Sequence, residues 1–535
     1  MAGGSGRPMT RDASPFSPIG RREFMQLCAG SLALAASGCR RRDASTALRP
    51  ATVIMAIPRM RDILPDEVEL DFLPFSRLAD RDEHGEYVPR LAERWDRSAD
   101  NLEWTFHLRR DVRWHDGQPF TAHDVKFTLD LLSHPDVLTY RFDSVTVMDE
   151  YKVRVRVPRW ENNRYQDDIV FYPKHLLQHL DPKQFMNWEF WARPVGTGPF
   201  RFVRFVPETL IEFEANPEYF RGKPRIERLI LKVVGNAGVT ELLSGEVDIT
   251  LDGGDSSQIP RVVADPRFRA YLNVTSGPWA IFWKHSHPLF HDPSVRRALT
   301  LAINRQECLG ILNLPGDLAP IEGVFLRKCT GCLSGPGWSR GELSKPLTFD
   351  PGEAAMLLDA ADWRYSQSDG LREQDGHPFR FTALVQNDHD LPRLAVLVQA
   401  QLRRVGVEMG IQVMDPGAVG SRMRAGDFEA ALGWYQWSAR FQERAFGRGN
   451  RTGYSNPEAF RLIDAAVAAQ NEGELEQIYR ELSAVYRADL PVTAMVPRTS
   501  VCFAHRRVRG LKTLRAYSDR YMEDLWIQDL RSLSG

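Results

Sequence analysis

Residues 433–440, Gly-Trp-Tyr-Gln-Trp-Ser-Ala-Arg, gather Trp434, Tyr435, Trp437 and Arg440 within one short segment. Flat rings with polar edges suit sugar rings, aromatic groups or extended apolar ligands. The planar fork of Arg440 suits a carboxylate or a phosphate. Packing between domains is the competing use of such rings, and the segment alone leaves both open. Other constellations carry less. HSHPLFH brings His285, His287 and His291 close in the chain; imidazoles suit several transition metals, but a surface loop around a proline accounts for them, and no metal is expected. CTGC spaces Cys329 and Cys332 as in redox or zinc sites, yet no second CxxC and no nearby His pair completes a tetrahedral shell, so a local disulfide is expected. His115 and Asp116 in WHDGQPF read as a polar turn before a helix. No nucleophile elbow, HExxH or P-loop occurs, and GTGPF at 196–200 lacks the spacing of a dinucleotide fingerprint. No catalytic residue and no cofactor is assigned, and an enzyme is not expected.

The elements that must position these residues are legible in part. LEWTFHLRR from residue 102 alternates strictly, with Leu102, Trp104, Phe106 and Leu108 on one face, and YKVRVRV at 151–157 does the same, so both predict half-buried strands. Between them Thr121 and Asp124 form a capping-box pattern ahead of a helix carrying Val125, Leu129 and Leu132 on one side. Asp292-Pro293, Asp350-Pro351 and Asn456-Pro457 each place an acceptor at N-cap and a preset φ at N1, which predicts three further helix starts. The run 391–404 predicts a helix ending near Gly406, followed by the strand VEMGIQVMD. Helix then strand is the unit of an α/β layer.

The chain of 535 residues is 43% apolar, enough for a sizeable core and two to four domains. Lys and Arg number 69 against 70 Asp and Glu, so the net charge provides no field to attract nucleic acid. The N-terminus carries Arg21 and Arg22, then Glu23, Phe24 and an apolar run ending in LALAASGC. That run is about a dozen residues long, too short for the roughly 20 that span a bilayer. A cleaved export signal is therefore expected over residues 1–39. GRREFM resembles a twin-arginine signal, and AASGC resembles a lipobox, with Ala36 where Leu is commonest, whose Cys39 would be lipidated. Residues 40–50 read as a tether. The expected location is extracytoplasmic or periplasmic, with membrane attachment through the lipid or the signal.

One long run, YVPRLAERWDRSADNLEWTFHLRRDVRWHDGQPFTAHDVKFTL, closely resembles the signature of the extracytoplasmic solute-binding proteins of ABC importers in the oligopeptide, dipeptide and nickel group, family 5. The resemblance continues through GTGPFRFVRF, NPEYFRGKPRIERL, DPSVRRALTLAINR, FDPGEAAMLLDAADW and GYSNPEAFRLIDAA, in family order from about residue 50 to the C-terminus. It implies an α/β fold of the periplasmic-binding-protein type: two lobes joined by a hinge, with an extra subdomain in the first lobe. Lobe I is expected over 51–265 and 490–535, with the subdomain at about 76–194, and lobe II over 270–489. The hinge is expected near YLNVTSGPW and PVTAMVP. Such folds close on a ligand between the lobes. A monomer is implied, capturing a small-molecule or oligomeric solute for an ABC permease and its ATPase. A sensor of the same fold, uncoupled from transport, is the alternative, separated by whether a permease and ATPase are encoded alongside.

In the peptide-binding members, the stretch after GDFDAAL reads approximately Gly-Trp, two residues, then an Asp that pairs with the ligand's terminal ammonium. Here Gly433 and Trp434 match, and Trp437 stands where that Asp would. A buried ammonium without a counter-charge costs several kcal/mol, so the ligand is not expected to be a standard free-N-terminus peptide. An oligosaccharide or an aromatic or apolar solute is the expectation, and a peptide the alternative. Trp283 stands where relatives carry the Asn of a GFN-like segment, and Trp279 and Trp283, flanking the crossing strand, are candidates with Trp434, Tyr435, Trp437 and Arg440 to line the cleft.

Overall fold

The computed structural model describes residues 52–57, 73–81, 87–137, 141–158, 169–234, 238–250, 256–314, 347–366, 369–388, 390–435, 439–511 and 526–527. Residues 1–39, expected as an export signal ending at Cys39, residues 40–50, expected as a tether, and Cys329 and Cys332, expected as a disulfide, lie outside them. Cys308 is a buried free thiol, and Cys502 is buried with its Sγ 3.8 Å from the Phe503 carbonyl.

Helices begin where side-chain acceptors meet orphan amides. Thr121 accepts from the His123 amide at 3.3 Å while the Asp124 carboxylate accepts from the Thr121 amide at 2.9 Å, a reciprocal box opening α1 (Ala122–Leu132). Asp292 caps the Ser294 amide at 2.8 Å, Asp350 the Glu353 amide at 2.8 Å, and Asn456 the Glu458 amide at 2.9 Å. A proline follows each cap, as the sequence predicts. The run from 391 ends before Gly406, whose φ of +80° suits glycine and where a Cβ would lie 2.6 Å from the Tyr365 ring.

The other helices that position the site are α2 (Ile259–Val263), α3 (Pro293–Leu301), α4 (Arg305–Ile311), α5 (Pro351–Ala360), α6 (Leu391–Arg404), α7 (Pro416–Ala425), α8 (Ala439–Phe446), α9 (Pro457–Ala468) and α10 (Glu472–Asp489), and short helices at Lys174–Leu177 and Val239–Ser244 complete the α-helices among the described residues. The strands that carry the architecture are β1 (Thr52–Ile57), β2 (Ala92–Arg97), β3 (Glu103–Leu108), β4 (Ser144–Asp149), β5 (Lys152–Arg156), β6 (Phe200–Val206), β7 (Leu210–Ala215), β8 (Arg228–Val233), β9 (Ile249–Thr250), β10 (Phe268–Trp283), β11 (Arg380–Gln386), β12 (Glu408–Met414), β13 (Ala430–Trp434) and β14 (Val492–His505). Ten of them form one sheet in the order β12-β11-β13-β10-β14-β9-β1-β8-β7-β6, and β2-β3-β5-β4 form a separate one.

The large sheet has two parallel cores. At one end β11 lies between β12 and β13, parallel to both; at the other β1 lies between β8 and β9, parallel to both. The long antiparallel pair β10 and β14 runs through the middle and belongs to both ends. Their register holds from Phe268↔His505 to Val274↔Thr499 and again from Ala280↔Ala494 to Phe282↔Val492. Between those stretches Pro278 faces Pro497, with a register shift on either side. A proline has no N–H to give the ladder. The pairing is interrupted there.

Period-two alternation along β10 distributes its side chains between two cores. Trp279, Ile281 and Trp283 join a core with Val295, Leu309, Leu358 and Leu394 from α3, α4, α5 and α6. Ala280 and Phe282 join the opposite core with Val419, Phe446, Leu462 and Leu482 from α7, α8, α9 and α10. The other end of the sheet repeats the scheme, with Val53, Met55 and Ile57 of β1 against Phe213 and Leu231 on one face, and Ile54 and Ala56 against Val239, Val262 and Phe503 on the other. A fifth core, spanning Phe75 to Trp191, covers the small sheet with α1 and includes Trp104, Phe106, Val125 and Leu129.

His285, at the exit of β10, is buried, its Nε2 3.0 Å from the Pro491 carbonyl and its amide donating to Thr452 O at 2.7 Å. His287 and His291 turn instead to the Leu289 amide and the Pro288 carbonyl. Burial, with the Arg296 guanidinium nearby, pushes His285 down to about 3. The unfolded chain therefore takes up a proton on this ring as pH falls below the ordinary histidine range, and the folded chain does not. Stability present above about pH 6.5 is expected to fall with acidification towards about pH 3, by up to ~1.4 kcal/mol per pH unit for this one group. Urea titrations across that range should show the slope, and His285→Gln, which keeps a donor for Pro491 but does not titrate, should flatten it. An unchanged slope in the variant would refute the assignment.

Candidate ligand-binding site

In open sheets built on parallel strands, ligands bind in the crevice beyond the carboxyl ends of the strands. Here β11 ends at Gln386 beside the end of β13 at Trp434, and Asn387 and Asp388 follow at the same edge. Gly433 makes the contact close: a Cβ there would lie 3.2 Å from Gln386 Nε2. Across the next strand, Trp279 of β10 is the direct antiparallel partner of Trp434. Gly277 lets the turn after β13 rest on β10, since a Cβ would meet Tyr435 O at 1.8 Å and Trp434 Nε1 at 2.8 Å.

Into this corner β14 sends Arg498, the residue between Thr499 and Pro497 where the ladder is irregular. Its guanidinium carbon lies 5.3 Å from the ring centre of Trp279 and 5.2 Å from that of Trp434. Each such contact stabilises by ~0.5–2 kcal/mol depending on desolvation. The Arg498 Nη2 donates to Asp388 Oδ2 at 3.3 Å, and both side chains remain partly open to solvent. The Trp434 indole N–H is buried and reaches no acceptor among the described residues. The result is a corner in which the Trp434 ring, the Arg498 guanidinium and the Asp388 carboxylate are partly open, while Trp279 beneath them is buried. It can receive a flat or apolar group against the rings and an acidic group at Arg498.

The six candidates from the sequence separate. Trp279 and Trp434 come together around Arg498. Trp283 lies wholly inside the core, its Nε1 donating to Thr493 Oγ1 at 2.9 Å and its ring 4.9 Å from that of Phe290. Tyr435 is sealed in the opposite core, its hydroxyl donating to Gln442 Oε1 at 3.0 Å, and burial holds that hydroxyl well above the ordinary tyrosine range. Trp437 lies outside the described residues, as does the side chain of Arg440. The sequence reading missed Asp388 and Arg498. The signal for Asp388 was the polar run QNDHD directly after an apolar strand, and for Arg498 its position immediately after the expected hinge segment PVTAMVP.

Comparison with known proteins gives this geometry its context. The family model for bacterial extracellular solute-binding proteins, family 5 middle, matches residues 86–447. The oligopeptide-binding protein AppA of Bacillus subtilis is 27% identical over 445 residues, covering 78% of this chain and 80% of AppA. Among solved structures, NikZ from Campylobacter jejuni in complex with Ni(L-His) superposes with a TM-score of 0.70 at 23% identity, over 90% of this chain and 100% of NikZ. The putative peptide-binding protein AppA from Clostridium difficile superposes with a TM-score of 0.76 at 20% identity, over 89% of this chain and 100% of the other. The fold is thus the two-lobe α/β architecture of periplasmic binding proteins. The chain belongs to family 5 of the bacterial extracellular solute-binding proteins.

The separation of the tryptophans has a measurable consequence. Trp283→Ala should lower the unfolding free energy by ~3–5 kcal/mol, the range for emptying a large core site. Trp434→Ala, at the half-open corner, should cost ~1–3 kcal/mol. Urea denaturation of the two variants checks the order, and a larger loss for Trp434→Ala would place Trp434 rather than Trp283 in the core.

Proposed function

We propose that the protein captures a solute between its two lobes, at the corner of Trp279, Trp434, Arg498 and Asp388, and delivers it to an ABC permease whose ATPase drives import. The observation that carries this reading is the guanidinium held between two indoles at the carboxyl ends of the strands, in a chain of the solute-binding family. Lobe I comprises 51–265 and 490–535, with the subdomain at about 76–194, and lobe II comprises 270–489. The interrupted β10–β14 pair serves as the hinge. The division of the hydrophobic cores on either side of that pair supports these bounds. The ligand leaves as it arrived, without chemistry. Export by the twin-arginine-like signal and lipidation at Cys39 place the monomer outside the cytoplasm, next to its permease.

The ligand we propose is a solute with a flat or apolar face, an oligosaccharide or an aromatic or apolar molecule, carrying an acidic group for Arg498. Trp437 and Arg440, next along the chain from Trp434, complete the contact surface, whereas Trp283 and Tyr435 serve the cores. A peptide is the second reading, favoured by the relatives' names and by Asp388, a carboxylate that a ligand ammonium can use in place of the one missing at position 437.

Native mass spectrometry of the protein purified without denaturation tests both. A retained sugar-like or aromatic acid is expected; a retained peptide would replace it with the second reading. Trp437→Ala should lower the retained fraction by roughly tenfold, the effect of losing one stacked ring, with an unchanged Tm. Unchanged retention would return that ring to a packing role.

A further inference from the structure

Asp390 stands at the N-cap of α6, a position where aspartate ordinarily holds the first amides of its own helix. Here it makes no side-chain cap bond. Its Oδ1 instead accepts from the Ser256 amide at 3.3 Å and from the Ser256 hydroxyl at 3.0 Å. Arg393, one turn along α6, pairs with the same carboxylate oxygen and donates to Ser256 Oγ at 2.9 Å. Asn313, just beyond α4, donates to Ser256 O at 3.3 Å. Ser256 is fully buried and Asp390 nearly so.

These groups come from opposite sides of the β10–β14 crossing. Ser256 opens the short segment that leads into α2, whose Val262 packs in the core with Ile54, Val239 and Phe503. Leu391 and Leu394 of α6 pack in the core with Trp283 and Leu299. Ser256 lies beyond the carboxyl end of β9 and Asp390 beyond that of β11, so the network joins the two strand ends between which the crevice lies. A second bridge, Asn101 Nδ2 to Gln470 O at 3.5 Å, links the small-sheet region to the helical side at an exposed rim.

We propose that Ser256, Asp390, Arg393 and Asn313 form a latch that holds the lobes closed in the absence of solute. The proposal rests on the lobe assignment above, with α2 in lobe I and α6 in lobe II. A helix cap is given up so that its carboxylate can grip the other lobe. Opening separates Ser256 from Asp390 and lets the carboxylate turn to the first turn of its own helix, where Pro392 leaves the Arg393 amide as the N-cap donor within reach, so the two states exchange one set of hydrogen bonds for another. Such an exchange leaves the balance between open and closed forms sensitive to single side chains.

Small-angle X-ray scattering of the protein, stripped of bound solute by dialysis from denaturant and refolding, reads this balance. The wild type should scatter with the dimensions of the closed form. Asp390→Ala should raise the open-to-closed ratio by roughly tenfold or more, as loss of charge-assisted bonds implies, and give a larger radius of gyration with an unchanged far-ultraviolet circular dichroism spectrum. Should that variant fail to fold, Ser256→Ala, which removes one hydroxyl and keeps the Arg393–Asp390 pair, is expected to shift the radius in the same direction. A wild type already open, or a folded variant with wild-type dimensions, overturns the latch. No solute enters the measurement, so that result would leave the solute-binding reading standing, and failure to find a solute would leave the latch standing.

Discussion

Everything else in this chain is arranged around the pairing of β10 with β14. These strands are the only ones in the ten-stranded sheet that serve both of its parallel ends. Were their ladder regular, the sheet would be one stiff plate. Pro278 facing Pro497 removes two N–H donors at the same level, and the register slips on both sides of that pair. Trp279, Met495 and Val496, on one side of the interruption, belong to the core of α3 to α6, while Leu272, on the other side, packs against that core and against the one around Ile54 and Val262. Residues on either side keep their alternation and their burial, while the stretch between them is released from ladder geometry. Arg498, one residue beyond Pro497 on β14, extends its guanidinium there to both Trp279 and Trp434.

The local grammar of the fold was legible because its causes are local. An acceptor followed by proline makes a helix start wherever it occurs, and Asp292, Asp350 and Asn456 behave accordingly. Strict alternation from Glu103 to Leu108 makes a half-buried strand. The site was legible only in part. Trp279 and Trp283 have the same parity on β10 and are buried in the same core; what distinguishes them is that Trp279, beside the interruption, also meets the Arg498 guanidinium, whereas Trp283 packs on Phe290. Tyr435 follows Trp434 and takes the opposite face, which sends it into the core of α8 and α10. Arg498 and Asp388 are 110 positions apart, and no pattern in a single sequence links a residue after one strand to a residue within another.

The loop Asn387–Asp390 shows how charge is handled at this crevice. Its two described carboxylates are each engaged by an arginine, Asp388 by Arg498 and Asp390 by Arg393. Their surroundings differ. Asp388 and Arg498 are partly open, so water and ligand can compete for either partner at modest cost, and a pair of that kind contributes little to stability. Asp390 is nearly closed off and needs Ser256 to complete its bonding, because a buried carboxylate is tolerated only when it is paired and hydrogen-bonded. Two residues of chain thus separate a charge available for recognition from a charge committed to structure.

That separation bears on which solutes the corner can accept. A ligand acid that displaces Asp388 from Arg498 leaves Asp388 to water or to a ligand cation, and the rings hold the guanidinium in place whichever acid it binds. A ligand ammonium must instead draw Asp388 away from Arg498, a cation that stays against the two indoles. Cation–π contacts of ~0.5–2 kcal/mol each keep the guanidinium there but do not neutralise it. A solute carrying both charges can engage both partners at once. On the proposed reading of this corner as the ligand site, acids and zwitterions are favoured over cations, by a margin set by how far closure excludes water from Arg498.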